Sequence, residues 1–378
     1  MKEKKTLAWA SVSHFFIDFL CAWLITHQLI ENGSWFFLLF LYNFLAFAAQ
    51  LPMGILLDAL CIQRMAGRAG AMGRLLQGNA RLITAGTGCL FCGAALLPGI
   101  GHLPLVLLCG AGNAMFHVGT GSDLLEQSEG KAWPSGLFVS TGAVGIFAGA
   151  LVPLSDGGRA AAGCILILLC ALLLLVCRRS PGTGMHGNST EQTAALPRDR
   201  RKRIGEFFLP AVCLVLVVVL RSFDGLLFSF DWNDGLRTGV LLTCMIFLGK
   251  CLGGFAADRM GSLRASVCSL GAAAVLLAFS EFPSAGLSGV LLFNMTMPVT
   301  LYELYRRLPG NPGAAFGLLT FALYLGFLPV YTGMAEGMRH SLYYSVFALI
   351  SLFLLAYALR KTAGKEGGEL KAEEEGGL

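Results

Sequence analysis

The sequence predicts an all-α integral membrane protein: twelve transmembrane helices in two six-helix pseudo-repeats. Three observations carry that prediction. Hydrophobic residues make up 55% of the 378 and charged residues only 13%, with a mean hydropathy of +0.68. The apolar residues gather in runs long enough for a helix to cross a bilayer. Lysine and arginine fall almost wholly on alternate connections, and the stretches closing the second and eighth runs, PMGILLDAL (52–60) and GGFAADRMG (253–261), share Gly-x-x-x-Asp 200 positions apart.

At about 20 apolar residues per crossing, helices are expected over residues 6–30, 35–58, 80–98, 103–126, 132–154, 160–177, 207–229, 236–257, 263–281, 284–305, 312–334 and 340–360. The first run follows the basic start MKEKK but is too long for a signal sequence and has no small-x-small cleavage site, so it reads as a retained helix. Residues 178–206, RRSPGTGMHGNSTEQTAALPRDRRKRIGE, are too polar to bury a core and read as a linker between bundles at 1–177 and 207–361. The tail, 362–378, is acidic and reads as disordered. The Gly- and Arg-rich stretch CIQRMAGRAGAMGRLLQGNAR, beginning at residue 61, reads as a mobile loop.

Of the 28 lysines and arginines, 23 fall on the side of the membrane that holds both termini, three (Arg159, Arg237, Arg339) on the other and two (Arg221, Lys250) inside helices. Basic residues accumulate in cytoplasmic connections, so both termini are expected in the cytoplasm of a plasma-membrane protein. The net charge of +5 then reflects topology, and no nucleic-acid partner is expected. The Asn188 sequon falls on the cytoplasmic side. No phosphate-binding Gly-x-x-x-x-Gly-Lys-Ser/Thr loop is present, which argues against direct ATP drive. The twelve cysteines lie nearly all in apolar runs and read as small packing residues, including Cys89 and Cys92 in GCLFCG. No metal or cofactor is expected.

The halves repeat. Gly54 and Asp58 match Gly254 and Asp258, and GLFVSTGAVG from Gly136 matches GLLTFALYLG from Gly317, each following a proline. A carboxylate at a helix end suits the orphan amides and positive dipole end of another helix. Pro134 and Pro312 mark such helix starts. Asp58 is therefore paired with the start of helix 11 and Asp258 with that of helix 5, as latches on the inner side; simple topogenic charge is the other reading.

Six ionisable residues lie at membrane depth, where each needs a cavity and a partner: His14, Asp18, His117, Arg221, Asp224 and Lys250. His14 and Asp18 share a face of helix 1, Asp18 lying roughly 18 Å of rise from the helix start. Asp18 reads as a proton carrier or as half of a fixed ion pair. Arg221 and Asp224, three apart, either neutralise each other or leave Arg221 for a substrate. Lys250 lies roughly 12 Å before Asp258. Two cations with two carboxylates suit an anionic or zwitterionic small molecule. Asn113 and His117 share a face of helix 4. Glu303, beside Arg306 and Arg307, reads as gate or topogenic charge, and Asp123 and Glu126 as partners of loop arginines.

Twelve helices in two repeats and the loop GGFAADRMG resemble the major facilitator superfamily, whose signature there is Gly-x-x-x-Asp-Arg-x-Gly followed by basic residues. Gly254, Asp258, Arg259, Gly261 and Arg264 match it, while the first copy lacks the Arg and the second Gly. SHFFID in helix 1, GAGNAMFH in helix 4 and YELYRRLPGNPGAAFGLL across helices 10 and 11 resemble the fosmidomycin-resistance type of exporter. The resemblance implies a monomeric secondary carrier, coupled to protons, exporting a small organic solute by alternating access. An uptake carrier or uniporter of an organic anion, or a sensor on a carrier scaffold, is the alternative; the two copies of the gate speak against a membrane enzyme.

Overall fold

A backbone in lipid must satisfy its own hydrogen bonds, and a helix does so within one segment. The computed structural model, which describes residues 2–30, 34–65, 79–177 and 200–376, accordingly holds twelve helical spans. They are α1 (Lys2–Leu24, continued by a π-helical turn, Ile25–Leu29), α2 (Trp35–Asn43, a π-helical turn Phe44–Ala48, then Gln50–Met65), α3 (Ala80–Ala94), α4 (His102–Glu126), α5 (Trp133–Leu151) and α6 (Asp156–Cys177). The second half comprises α7 (Arg200–Leu227), α8 (Leu236–Met260), α9 (Ser262–Ala278), α10 (Pro283–Asn294 and Thr296–Arg307), α11 (Pro312–Tyr331) and α12 (Ser341–Gly376). Ten spans are long and apolar enough to cross a membrane by length and composition, and α3 and α9 are the shorter apolar pair.

Several boundaries differ from the sequence reading, two of them in segments read as linker and tail. α12 runs through the tail to Gly376 and α7 begins at Arg200. The α7 extension is mostly Arg and Lys and the α12 extension is rich in Glu and Lys, residues that lose little side-chain entropy in a helix, so the low hydrophobicity that suggests disorder does not oppose helix formation. The remainder of the proposed linker, the Asn188 sequon and most of the 61–81 loop lie outside the described residues.

The packing repeats with the sequence. α1 lies on α5 and α6, and α3 on α4 and α6; likewise α7 lies on α11 and α12, and α9 on α10 and α12. Between the halves, α2 packs on α11 and α8 on α5. Twelve crossings bring both termini to one face.

Glycines set the closest approaches. A Cβ at Gly145 or Gly149 of α5 would lie 2.3 or 2.0 Å from the carbonyl oxygens of Phe15 and Phe19 in α1. Gly149→Leu is expected to destabilise the fold by about 3 kcal/mol, read as a lowered thermal midpoint of the purified protein.

Candidate functional site

Three side chains from two helices meet inside the first half. His14 Nε2 lies 3.1 Å from Asp18 Oδ2, and His117 Nε2 lies 3.4 Å from Asp18 Oδ1. The first pair is one turn apart on α1, so helical spacing alone aligns it; His117 arrives from α4, its ring 4.6 Å edge-on from that of His14. His14 Nδ1 donates to the Phe138 carbonyl of α5 at 2.7 Å, and His117 Nδ1 to the Asn113 carbonyl at 2.9 Å. Carbonyl oxygens only accept, so both Nδ1 atoms carry hydrogen and both Nε2 atoms turn towards one carboxylate. In neutral rings those would be lone pairs facing lone pairs. The geometry is satisfied by a proton in each contact or by a cation held between them.

α5 makes room for this cluster at Gly142, where a Cβ would lie 2.3 Å from Asp18 Oδ2 and 2.6 Å from His14 Nε2. Sequence reasoning identified the three ionisable residues but missed Gly142 and the Phe138 carbonyl. Both belong to the repeated stretch GLFVSTGAVG, legible only as a repeat.

Across the interface, Lys250 of α8 lies within electrostatic reach of Asp18 and of Arg221 in α7. Arg221 is buried, and its Nη1 donates to Thr300 Oγ1 of α10 at 3.4 Å. Asp224 does not neutralise it. Both Asp224 carboxylate oxygens are buried without a hydrogen-bond partner among the described residues, and Asp224 lies within electrostatic reach of Tyr344 of α12. An orphaned buried polar group costs about 1–3 kcal/mol. Asp224→Leu is therefore expected to keep or raise the thermal midpoint.

At the face that holds both termini, Asp58 closes α2 against α11. Its Oδ1 accepts from the Gly313 amide at 3.0 Å and its Oδ2 from the Ala314 amide at 2.7 Å. In the second half Asp258 accepts from the Ala132 and Trp133 amides at the start of α5, at 2.7 and 2.9 Å. These are the helix ends with which the sequence pairs them. Gly54 lets α2 and α11 touch, since a Cβ there would lie 2.0 Å from the Gly313 oxygen; at Gly254 it would lie 2.6 Å from Trp133 Cα. Gly261 serves differently, its φ of 85° turning α8 directly into α9, a conformation that favours glycine.

The two seams are not equally dry. Asp58 is 2% exposed, whereas Asp258 and Arg259 are exposed. Asp58 also meets Arg81 of α3 at 3.3 Å, and Arg81 in turn binds Glu126. Arg81 thus supplies a cation where the first copy of the loop lacks its arginine. In the sequence Arg81 reads only as a loop charge. Glu303 is buried between Arg306 at 3.5 Å and Arg307 at 3.0 Å, and with Arg264, Gly261 and Asp258 lines a cleft of about 490 Å3.

Cys21, Cys92 and Cys109, from α1, α3 and α4, bring their sulfurs within 4.8 Å of one another, a convergence that the sequence does not signal.

No family model and no curated relative matches the chain. Among solved structures, the chain is similar to the E. coli fucose:proton symporter FucP in its N162A form, with a TM-score of 0.61 at 13% identity over 95% of this chain and 99% of that one. FucP in the outward conformation gives a TM-score of 0.58 at 13% identity, over 93% and 98% of the two chains. A bacterial homologue of the iron transporter ferroportin in its outward-facing state gives 0.60 at 13% identity, over 97% and 100%. The chain is a multi-pass membrane protein with the major facilitator fold.

Proposed function

We propose that the protein is a proton-coupled secondary carrier of a small organic anion, with His14, Asp18 and His117 as the proton site. The observation that carries this reading is the pair of histidine Nε2 atoms turned onto the two oxygens of one carboxylate, an arrangement whose repulsion each added proton relieves. Arg221 and Lys250 face the same region from the second half, and two cations held close together favour an anion between them. Asp58 and Asp258 act as latches of the termini face, which is the cytoplasmic face of the plasma membrane by its basic residues. In this arrangement the carrier is closed inward, and the two halves rock about the central charges during transport. It works as a monomer, and the resemblance of its helix-1, helix-4 and helix-10/11 stretches favours export.

A second reading has its own support. Two imidazoles and a carboxylate also suit a divalent transition metal, and one structural neighbour is described as a homologue of an iron transporter. Proteoliposomes with an internal pH probe separate the two. The proton reading expects pH changes on adding organic anions with no divalent metal present. Metal-dependent uptake that leaves the internal pH unmoved would support the second reading and overturn the first. Silence with every anion class would also overturn the first.

A further inference from the structure

We propose that Cys21, Cys92 and Cys109 form a trithiol site that binds trivalent arsenic, taken up as neutral arsenous acid. The three thiols come from three different helices. Cys21 and Cys109 Sγ are 3.6 Å apart, and all three sulfurs lie within 4.8 Å of one another, each residue no more than 3% exposed.

Close helix packing and one polar side chain bring the thiols together. Gly88 and Gly112 let the backbones of α3 and α4 touch, a Cβ on Gly88 falling 2.5 Å from the Gly112 oxygen. At Gly112 a Cβ would lie 2.7 Å from Cys92 Sγ, so the glycine holds open the space that the sulfur uses. Asn113 donates from Nδ2 to Cys21 Sγ at 3.3 Å, while its own Oδ1 is buried without a hydrogen-bond partner among the described residues. Of the close pair in GCLFCG, Cys92 joins the cluster and Cys89 faces away, towards Cys170.

Charge selects the ligand. Thiolates prefer soft ions, and the membrane interior penalises net charge. Three thiolates around a monovalent coinage ion leave two negative charges, and around a divalent ion one. Around trivalent arsenic they leave none. The exchange balances without any redox step: As(OH)3 and three thiols give As(SR)3 and three waters, each S–H proton leaving with a hydroxide from arsenic as an As–S bond replaces an As–O bond. Arsenic in this state binds three ligands in a pyramid, which three sulfurs at these separations can supply.

The test uses the full-length protein in detergent with its thiols kept reduced, titrated with sodium arsenite. One arsenic per chain is expected, with three sulfur neighbours and no oxygen by arsenic-edge X-ray absorption. Cys21→Ser, Cys92→Ser and Cys109→Ser should each weaken binding at least tenfold, and a Cys89→Ser/Cys170→Ser double variant should bind as wild type does. Oxygen neighbours in the wild-type spectrum, absence of binding, or affinity unmoved by the three single substitutions would overturn the proposal. The wild-type spectrum decides even where a serine variant fails to fold.

Discussion

Asn in place of Asp18 is expected to abolish proton movement coupled to substrate. The substitution keeps the size of the side chain but replaces one carboxylate oxygen with an NH2 group, which satisfies a histidine lone pair directly. His14 Nε2 and His117 Nε2 are held 3.1 and 3.4 Å from the carboxylate by Nδ1 bonds to fixed carbonyls, so neither ring can turn away without giving up a hydrogen bond. The amide removes the need for a proton in one contact, and with the carboxylate charge gone nothing draws a proton into the other. In proteoliposomes the substrate-dependent pH signal should fall to that of empty vesicles, while substrate exchange down its own gradient persists. His14→Gln and His117→Gln should each reduce the signal without eliminating it, because one histidine contact remains. A coupled signal retained in Asp18→Asn would remove Asp18 from the proton path.

Gly54→Leu is expected to force the termini face open. The backbones of α2 and α11 are in contact there, and a side chain at Gly54 has no space while they remain so. Spin labels at Ala59 and Pro309, in a background lacking exposed native cysteines, should move from one short distance to a population with a longer one. Asp58→Asn should act in the same direction but less strongly, since the amide oxygen can still accept one of the two backbone hydrogen bonds. A charge-assisted hydrogen bond contributes about 1.5–3 kcal/mol, so losing one shifts the closed–open balance roughly ten- to a hundredfold. Asp258→Asn should do less than Asp58→Asn, because Asp258 is exposed and its attraction to the helix end is screened by water. Identical distance distributions in wild type and Gly54→Leu would show that this seam does not govern closure.

Much of this architecture could be read from the sequence because the bilayer imposes it. Length and apolarity determine the spans, and the repeated Asp and Pro positions identify which helix ends meet. The intramembrane charges were also legible one by one, since an ionisable residue in an apolar run stands out. Their mutual arrangement was not. His117 reaches Asp18 only because Gly142 leaves space on α5 and Phe138 anchors His14. The spacing of Arg221 and Asp224 left open an ion pair or a free Arg221, and the structure leaves the Asp224 carboxylate without a hydrogen-bond partner among the described residues. The thiols at 21, 92 and 109 carry no spacing signal, because three separate helices deliver them. The one close cysteine pair, at 89 and 92, reads as ordinary packing, and its members face different neighbours.

Each half of the molecule contributes one aspartate at a helix end and one helix start to the seams of the termini face, α2 and α5 from the first, α8 and α11 from the second. The interface is therefore self-complementary in the manner of a two-fold symmetric dimer, and a single six-helix unit would already carry both complementary parts. In the fused chain the consequence is mechanical. Under the proposed rocking of the two halves, opening the termini face draws both aspartates away from their helix starts together, so the two seams are expected to release as a single cooperative event.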